Sequence, residues 1–120
     1  LFGDMSWRIN LTNNQIRQGI KEGNWEWLYE HDQYSQLLRD VDKEPLLAGF
    51  AEARIDFAPT YKFDKNSDSY DSGLIKQSPA YADRILLKGG TAGSLREMTY
   101  YDSRDIRLSD HRPVLAFFSF

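Results

Sequence analysis

Three short clusters in this sequence combine acids with a base: Gly3-Asp4, Tyr81-Ala82-Asp83-Arg84 and Ser109-Asp110-His111-Arg112-Pro113. His111 is the sharpest single residue, because an imidazole with an unperturbed pKa of roughly 6.5 can hold or release a proton at neutral pH. An acidic partner would fix its tautomer and favour the protonated ring, and Asp83 is a candidate for that role. Asp4 and Asp110 add carboxylates that can orient water or face a cation. Each has a plainer alternative on residue type alone. His111 is equally suited to a structural hydrogen bond. Asp4 follows a glycine, where turn and cap aspartates are common, and Asp110 fits a cap or turn as well. An exposed Asp83–Arg84 pair would contribute under about 1 kcal/mol.

A second group is cationic. Lys62, Lys65, Lys76 and Arg84 lie on or beside a long polar stretch, with the Tyr61 and Tyr70 hydroxyls nearby, and together could line a pocket for phosphate groups. The commoner outcome for such composition is a solvated loop whose lysines balance Asp64, Asp68 and Asp71. Trp7, Trp25 and Trp27 do not interleave with Arg or Lys, so they read as core aromatics and not as base-stacking platforms. His31 is assigned no role.

These residues need elements to position them. Thr12-Asn13-Asn14-Gln15 has capping-box spacing, and Ile16 and Ile20 follow at helical steps until Gly23, which predicts a short helix. Trp25, Leu28, Tyr29, Tyr34, Leu37, Leu38 and Val41 recur at three- and four-residue steps, which predicts a second helical stretch, broken near His31-Asp32 and ended by Pro45. Asp56 to Thr60 reads as a strand end entering a loop, because Pro59 cannot continue a central strand. Lys62 to Pro79 is a long polar loop, of the kind that is functional or mobile in compact domains. Tyr81 to Leu87 and Arg96 to Tyr101 have strand composition, joined through Gly89-Gly90 and Gly93. The near-continuous apolar run from Val114 to Phe120 predicts a strand covered on both faces. The order of elements gives an α/β layered architecture without internal repeats, with the chemistry at strand ends.

Composition narrows the function. The chain has 120 residues, 41% hydrophobic and 28% charged, which suffices for one core. A net charge of −3 advertises neither nucleic-acid nor membrane binding, so any anion site must be local. The absence of cysteine excludes disulfides and thiolate metal sites and agrees with a reducing, cytoplasmic setting. No apolar run approaches the roughly 20 residues that span a bilayer. A start without Met, directly on a strand end, leads us to expect that the domain continues on the N-terminal side.

Read in order, Gly3-Asp4-Met5-Ser6-Trp7-Arg8, Pro59-Thr60-Tyr61-Lys62-Phe63, Pro79-Ala80-Tyr81-Ala82-Asp83-Arg84-Ile85-Leu86 and Ser109-Asp110-His111-Arg112-Pro113-Val114 resemble the signature of inositol polyphosphate 5-phosphatases. Glu30-His31-Asp32-Gln33 resembles the segment between the first two motifs, so the likeness runs the whole chain, 1–120, as the C-terminal part of one catalytic domain. The resemblance implies a DNase I-like α/β/β/α four-layer sandwich, of which this chain would supply the C-terminal half. It implies hydrolysis of the 5-phosphate of phosphoinositides or soluble inositol phosphates with Mg²⁺, whose main ligand, a Glu, would lie on the N-terminal half. It implies a cytoplasmic protein, peripheral at the membrane surface if its substrate is a lipid. Residue by residue, Asp4 matches the aspartate that activates water, His111 the histidine meeting the scissile phosphate, Asp83 the acid orienting it, and Asp110 an acid near metal and phosphate. Tyr61 and Lys62 match positions that touch the neighbouring 4-phosphate, and Lys76 lies near another such cation.

The sequence departs from that signature at several points. Ser6 stands where the family has Asn, and Gln77 where it has Arg; Tyr81 and Ala82 replace Trp and Cys. A serine hydroxyl cannot reach or orient as a carboxamide does, and this supports an alternative: a catalytically inactive phosphoinositide-binding or interaction module of the same fold. A nuclease of the same superfamily is a third reading, disfavoured by the Pro59-to-Phe63 motif and the acidic balance.

Overall fold

The computed structural model describes residues 1–40, 45–88 and 97–119. Val41, Gly89, Gly90, Gly93, Arg96 and Phe120, which figured in the expected elements, lie outside the described residues. Strand β1 (Phe2–Asp4) leads to three helices, α1 (Asn13–Glu22), α2 (Trp25–Glu30) and α3 (Gln33–Arg39), then a 3-10 turn at Pro45–Leu47. Strands β2 (Asp83–Ile85), β3 (Glu97–Asp102) and β4 (Val114–Ser119) complete the described elements. β1 pairs antiparallel with β2, and β3 with β4.

The helix ends form where the sequence places them. Thr12 accepts from the Gln15 amide while the Gln15 side chain accepts from the Thr12 N–H, which completes the capping box. Gly23 closes α1 at φ 66°, a left-handed conformation that favours glycine. Gly19 serves packing: a Cβ there would stand 3.1 Å from the Leu28 and Trp27 side chains of α2, so any larger residue would push those side chains back by a few tenths of an ångström. The break near His31-Asp32 is real, because Asp32 accepts from the Ser35 amide and so starts a new helix, α3. Ile16, Leu28, Ile9, Ile55, Phe57, Tyr81 and Tyr100 form the core beneath these helices.

Two strand expectations change. Within 81–87 only Asp83–Ile85 pairs with β1; Leu87 bridges to Ala51, and Ala80 bridges to Tyr61. Residues 80–87 are thus shared among three partners. In β4 the residues alternate, so that Val114 and Ala116 pack on the core while Leu115 and Phe117 are 38% and 59% exposed. The side-chain period of two divides even an all-apolar strand into two faces, and here the core meets only one of them.

Candidate active site

One extended segment sets the site. Residues 60–63 run between the 80 segment and the 110–112 segment: Ala80 N–H donates to Tyr61 O (2.7 Å), Arg112 N–H to Thr60 O (2.8 Å) and Phe63 N–H to Asp110 O (2.8 Å). This stitching carries His111 to the end of β2. In β1–β2, Asp4 lies opposite Asp83 and Gly3 opposite Arg84. Residues directly opposite share a face and neighbours alternate, so Asp4 and Asp83 project together and Arg84 projects the other way.

His111 Nδ1 is 2.6 Å from Asp83 Oδ2. An ionised carboxylate only accepts, so Nδ1 carries the proton in this contact, which leaves Nε2 to face a ligand. Nε2 lies 4.0 Å from Asp110 Oδ1. The Tyr61 ring packs on the imidazole with centroids 4.5 Å apart, and its hydroxyl donates to Gln77 Oε1 at 2.9 Å. The Arg8 guanidinium sits 5.2 Å from the centroid of the same tyrosine ring. A cleft of about 330 Å³ opens beside them, lined by Phe2, Asp83, Ile85, Ser109, His111 and Pro113. Both His111 and Asp83 are about a quarter exposed, so the pair is held in place yet reachable.

Asp4 makes the turn that was its plainer reading. Its Oδ1 accepts from the Ser6 N–H (2.8 Å) and from Ser6 Oγ (3.2 Å), a local turn, while the carboxylate remains exposed beside Asp83. Ser6 holds φ at 54°, a conformation more often taken by Asn or Gly than by Ser.

Arg84 requires a correction. It is not part of a phosphate pocket: its side chain is fully buried, with Nη1 2.9 Å from Asp32 Oδ1, and Nε and Nη2 2.6 and 2.7 Å from the two oxygens of Glu52. The rings of Trp7, Tyr29 and Tyr34 surround it at 5.1–5.8 Å. Burial disfavours its charge, but the hydrogen bonds and charge of Glu52, followed by those of Asp32, outweigh this and hold the guanidinium above its ordinary pKa. The register explains the placement, since the face opposite Asp83 is the core face.

The remaining site residues are placed as follows. Lys62 lies 3.9 Å from Asp71 and is a third exposed. Lys76 is exposed at φ 46°, and its carbonyl accepts from the Asn13 side chain. Asp110 is half-buried beside His111 and accepts from Ser109 Oγ. The structure therefore brings Asp4, Ser6, Asp83, Asp110, His111 and Tyr61 together. Lys62 and Lys76 stand on the adjoining loop, which Gln77 ties to Tyr61. The sequence reading missed Arg8 and Gln77 as the partners of Tyr61. Both stood in or beside a quoted motif, but no spacing rule foretells a stacked guanidinium between residues 8 and 61.

Among the described residues no three acidic or imidazole side chains converge in a way that could hold a metal ion. Asp83 is committed to His111, and Asp110 has that imidazole and the Ser109 hydroxyl beside it. These residues alone do not make a Mg²⁺ site.

The family model for endonuclease/exonuclease/phosphatase family 2 matches residues 1–117. The chain belongs to this family. Among similar proteins, the synaptojanin of Caenorhabditis elegans is 37% identical over 116 residues, covering 97% of this chain and 10% of the relative. The type I inositol polyphosphate 5-phosphatase 1 of Arabidopsis thaliana is 39% identical over 119 residues, covering 97% of this chain and 19% of the relative. The chain spans between 10% and 22% of the length of such curated relatives. A solved inositol polyphosphate 5-phosphatase domain of spSynaptojanin, in complex with inositol (1,4)-bisphosphate and calcium ion, superposes with a TM-score of 0.84 at 34% identity. That match covers 98% of this chain and 33% of the other. The chain thus has the DNase I-like α/β fold of that domain, as its motifs implied. A Cimex nitrophorin, solved as a ferrous NO complex, superposes with a TM-score of 0.79 at 29% identity, covering 98% of this chain and 39% of its own. One fold evidently serves different functions here, so function must be argued from the site.

Proposed function

We propose that this chain supplies the His111–Asp83–Asp4 part of a phosphomonoesterase site that removes the 5-phosphate of phosphoinositides or inositol polyphosphates. One observation carries the reading: Asp4 and Asp83 share a face in β1–β2, and Asp83 holds His111 Nδ1 at 2.6 Å. Hydrolysis needs an oriented water and a group that neutralises charge on the phosphoryl oxygens. In this reading Asp4 orients the water, and Asp83 keeps the Nδ1 proton in place so that His111 Nε2 addresses the phosphoryl group. Tyr61 backs the imidazole, and Lys62 and Lys76 receive a neighbouring phosphate. The reading is supported by the 5-phosphatase names of the relatives and by the inositol bisphosphate in the solved neighbour. It includes dependence on Mg²⁺, held mainly by residues outside this chain, a cytoplasmic location with access to the membrane surface, and no nucleic-acid partner.

A second reading, a module that binds phosphoinositides without cleaving them, is favoured by Ser6. Its hydroxyl is occupied with Asp4, and it has no amide to offer a phosphate. In the full-length protein, Ser6→Asn is expected to raise phosphate release by about tenfold or more, because a carboxamide suits the left-handed turn and can also orient the reacting groups. Release should be abolished by a chelator. If both forms bind head groups and neither releases phosphate, the non-catalytic module is the correct reading.

A further inference from the structure

The loop from Lys62 to Pro79 carries two aliphatic side chains that touch almost nothing: Leu74 is 107% exposed and Ile75 84% exposed. Scattered exposed leucines are ordinary. This pair differs because the loop around it is bonded internally and holds both residues outward. Asp71 accepts from the Gly73 and Gln77 amides at 2.9 and 2.8 Å and so bridges the tip at its base. These two bonds, Gln77 first and Gly73 second, keep the Asp71 carboxyl below the ordinary carboxylate range. Arg17 and Asn13 of α1 bond the carbonyls of Asp71 and Lys76. An internally bonded loop has much of its ordering cost met before any partner arrives.

The charges around the tip are sorted. Asp64 is taken by Ser72, Asp68 by Arg107 and Arg112, and Asp71 by the two amides with Lys62. Lys65 and Lys76 have no carboxylate partner among the described residues, and Lys76 directly follows the aliphatic pair. Bare aliphatics followed at once by a lysine without a carboxylate partner, with a second such lysine on the same loop, complement a surface that is apolar beneath and anionic above, which is the interface of an anionic phospholipid bilayer. We propose that the Leu74-Ile75 tip, with Lys76, docks onto such a bilayer. Ile75 is two residues from Gln77, within about 7 Å along the chain, and Gln77 accepts from the hydroxyl of Tyr61, whose ring packs on His111. Docking there would present the candidate site to the membrane surface. The consequence for substrate, lipid-borne over soluble, rests on the phosphatase reading above; the docking does not.

The test is co-sedimentation of the full-length protein with vesicles of phosphatidylcholine and phosphatidylserine that contain no phosphoinositide, so that the binding needs no substrate. The double variant Leu74→Ser, Ile75→Ser should lower the partition coefficient by about tenfold or more, because it removes the apolar area available for burial. Binding of the parent to phosphatidylcholine alone should be weaker. Both side chains are exposed, so the variant should fold, and its rate on a soluble inositol phosphate should match the parent. A partition that falls less than this, equal binding to neutral vesicles, or loss of self-association in place of loss of vesicle binding would overturn the proposal.

Discussion

Replacing His111 with alanine in the full-length protein is expected to lower phosphate release by a factor on the order of a hundred to ten thousand, the span of a lost general acid–base or charge-stabilising group. The expectation rests on the geometry of the ring. Asp83 fixes its proton, Tyr61 packs on one face, and the cleft opens beside it. About a quarter of the side chain is exposed, so its loss should cost little stability and the rate should report chemistry. Head-group binding should persist, because Lys62 and Lys76 are untouched. An unchanged rate would remove His111 from the site and with it the role given to Asp83.

The second large effect is on stability. Arg84→Ala would leave Asp32 and Glu52 charged in the core, where both are essentially without solvent contact. Removing one partner of a buried ion network costs about 3–5 kcal/mol, a large share of an ordinary folding margin. Denaturant unfolding of the full-length protein should show a midpoint shifted down accordingly. Arg84→Lys should recover only part of the loss, since one ammonium cannot make the bidentate contact with Glu52. A midpoint unchanged within about 0.5 kcal/mol would mean that the network contributes nothing net.

These two residues show what the sequence could and could not reveal. His111 was legible because its cluster carries a pattern, and Asp83 was legible as its candidate partner from the acid–base clusters, a pairing that four motifs in a recognised order then supported. Arg84 sits next to Asp83, and its type suggested a phosphate ligand. Its true role depends on the β1–β2 register, which turns it toward Asp32 and Glu52, 52 and 32 residues away in sequence. Nothing local encodes such a pairing. The helices were readable for the opposite reason: the Thr12 capping box, Gly23 and the Asp32 cap act within a few residues of themselves. The strand from Tyr81 to Leu87 was overestimated because composition reports a tendency to extend and not the number of partners. That number depended on Tyr61 and Ala51 as well as on β1. The turn made by Asp4 with Ser6 was foreseen as the plainer alternative to catalysis, and the structure shows that turn with the carboxylate left exposed opposite Asp83.

The central claim is that Asp4, Asp83 and His111 belong to a site that cleaves the 5-phosphate, and positional product analysis tests it most directly. The full-length protein would be incubated with Mg²⁺ and either a 4,5-bisphosphorylated inositol lipid or soluble inositol 1,4,5-trisphosphate, and the position of the remaining phosphates would be determined. The account predicts release of the 5-phosphate with the 4-phosphate retained, and loss of that release in the His111→Ala variant. Loss of the 4-phosphate instead, or release that survives His111→Ala, would contradict it.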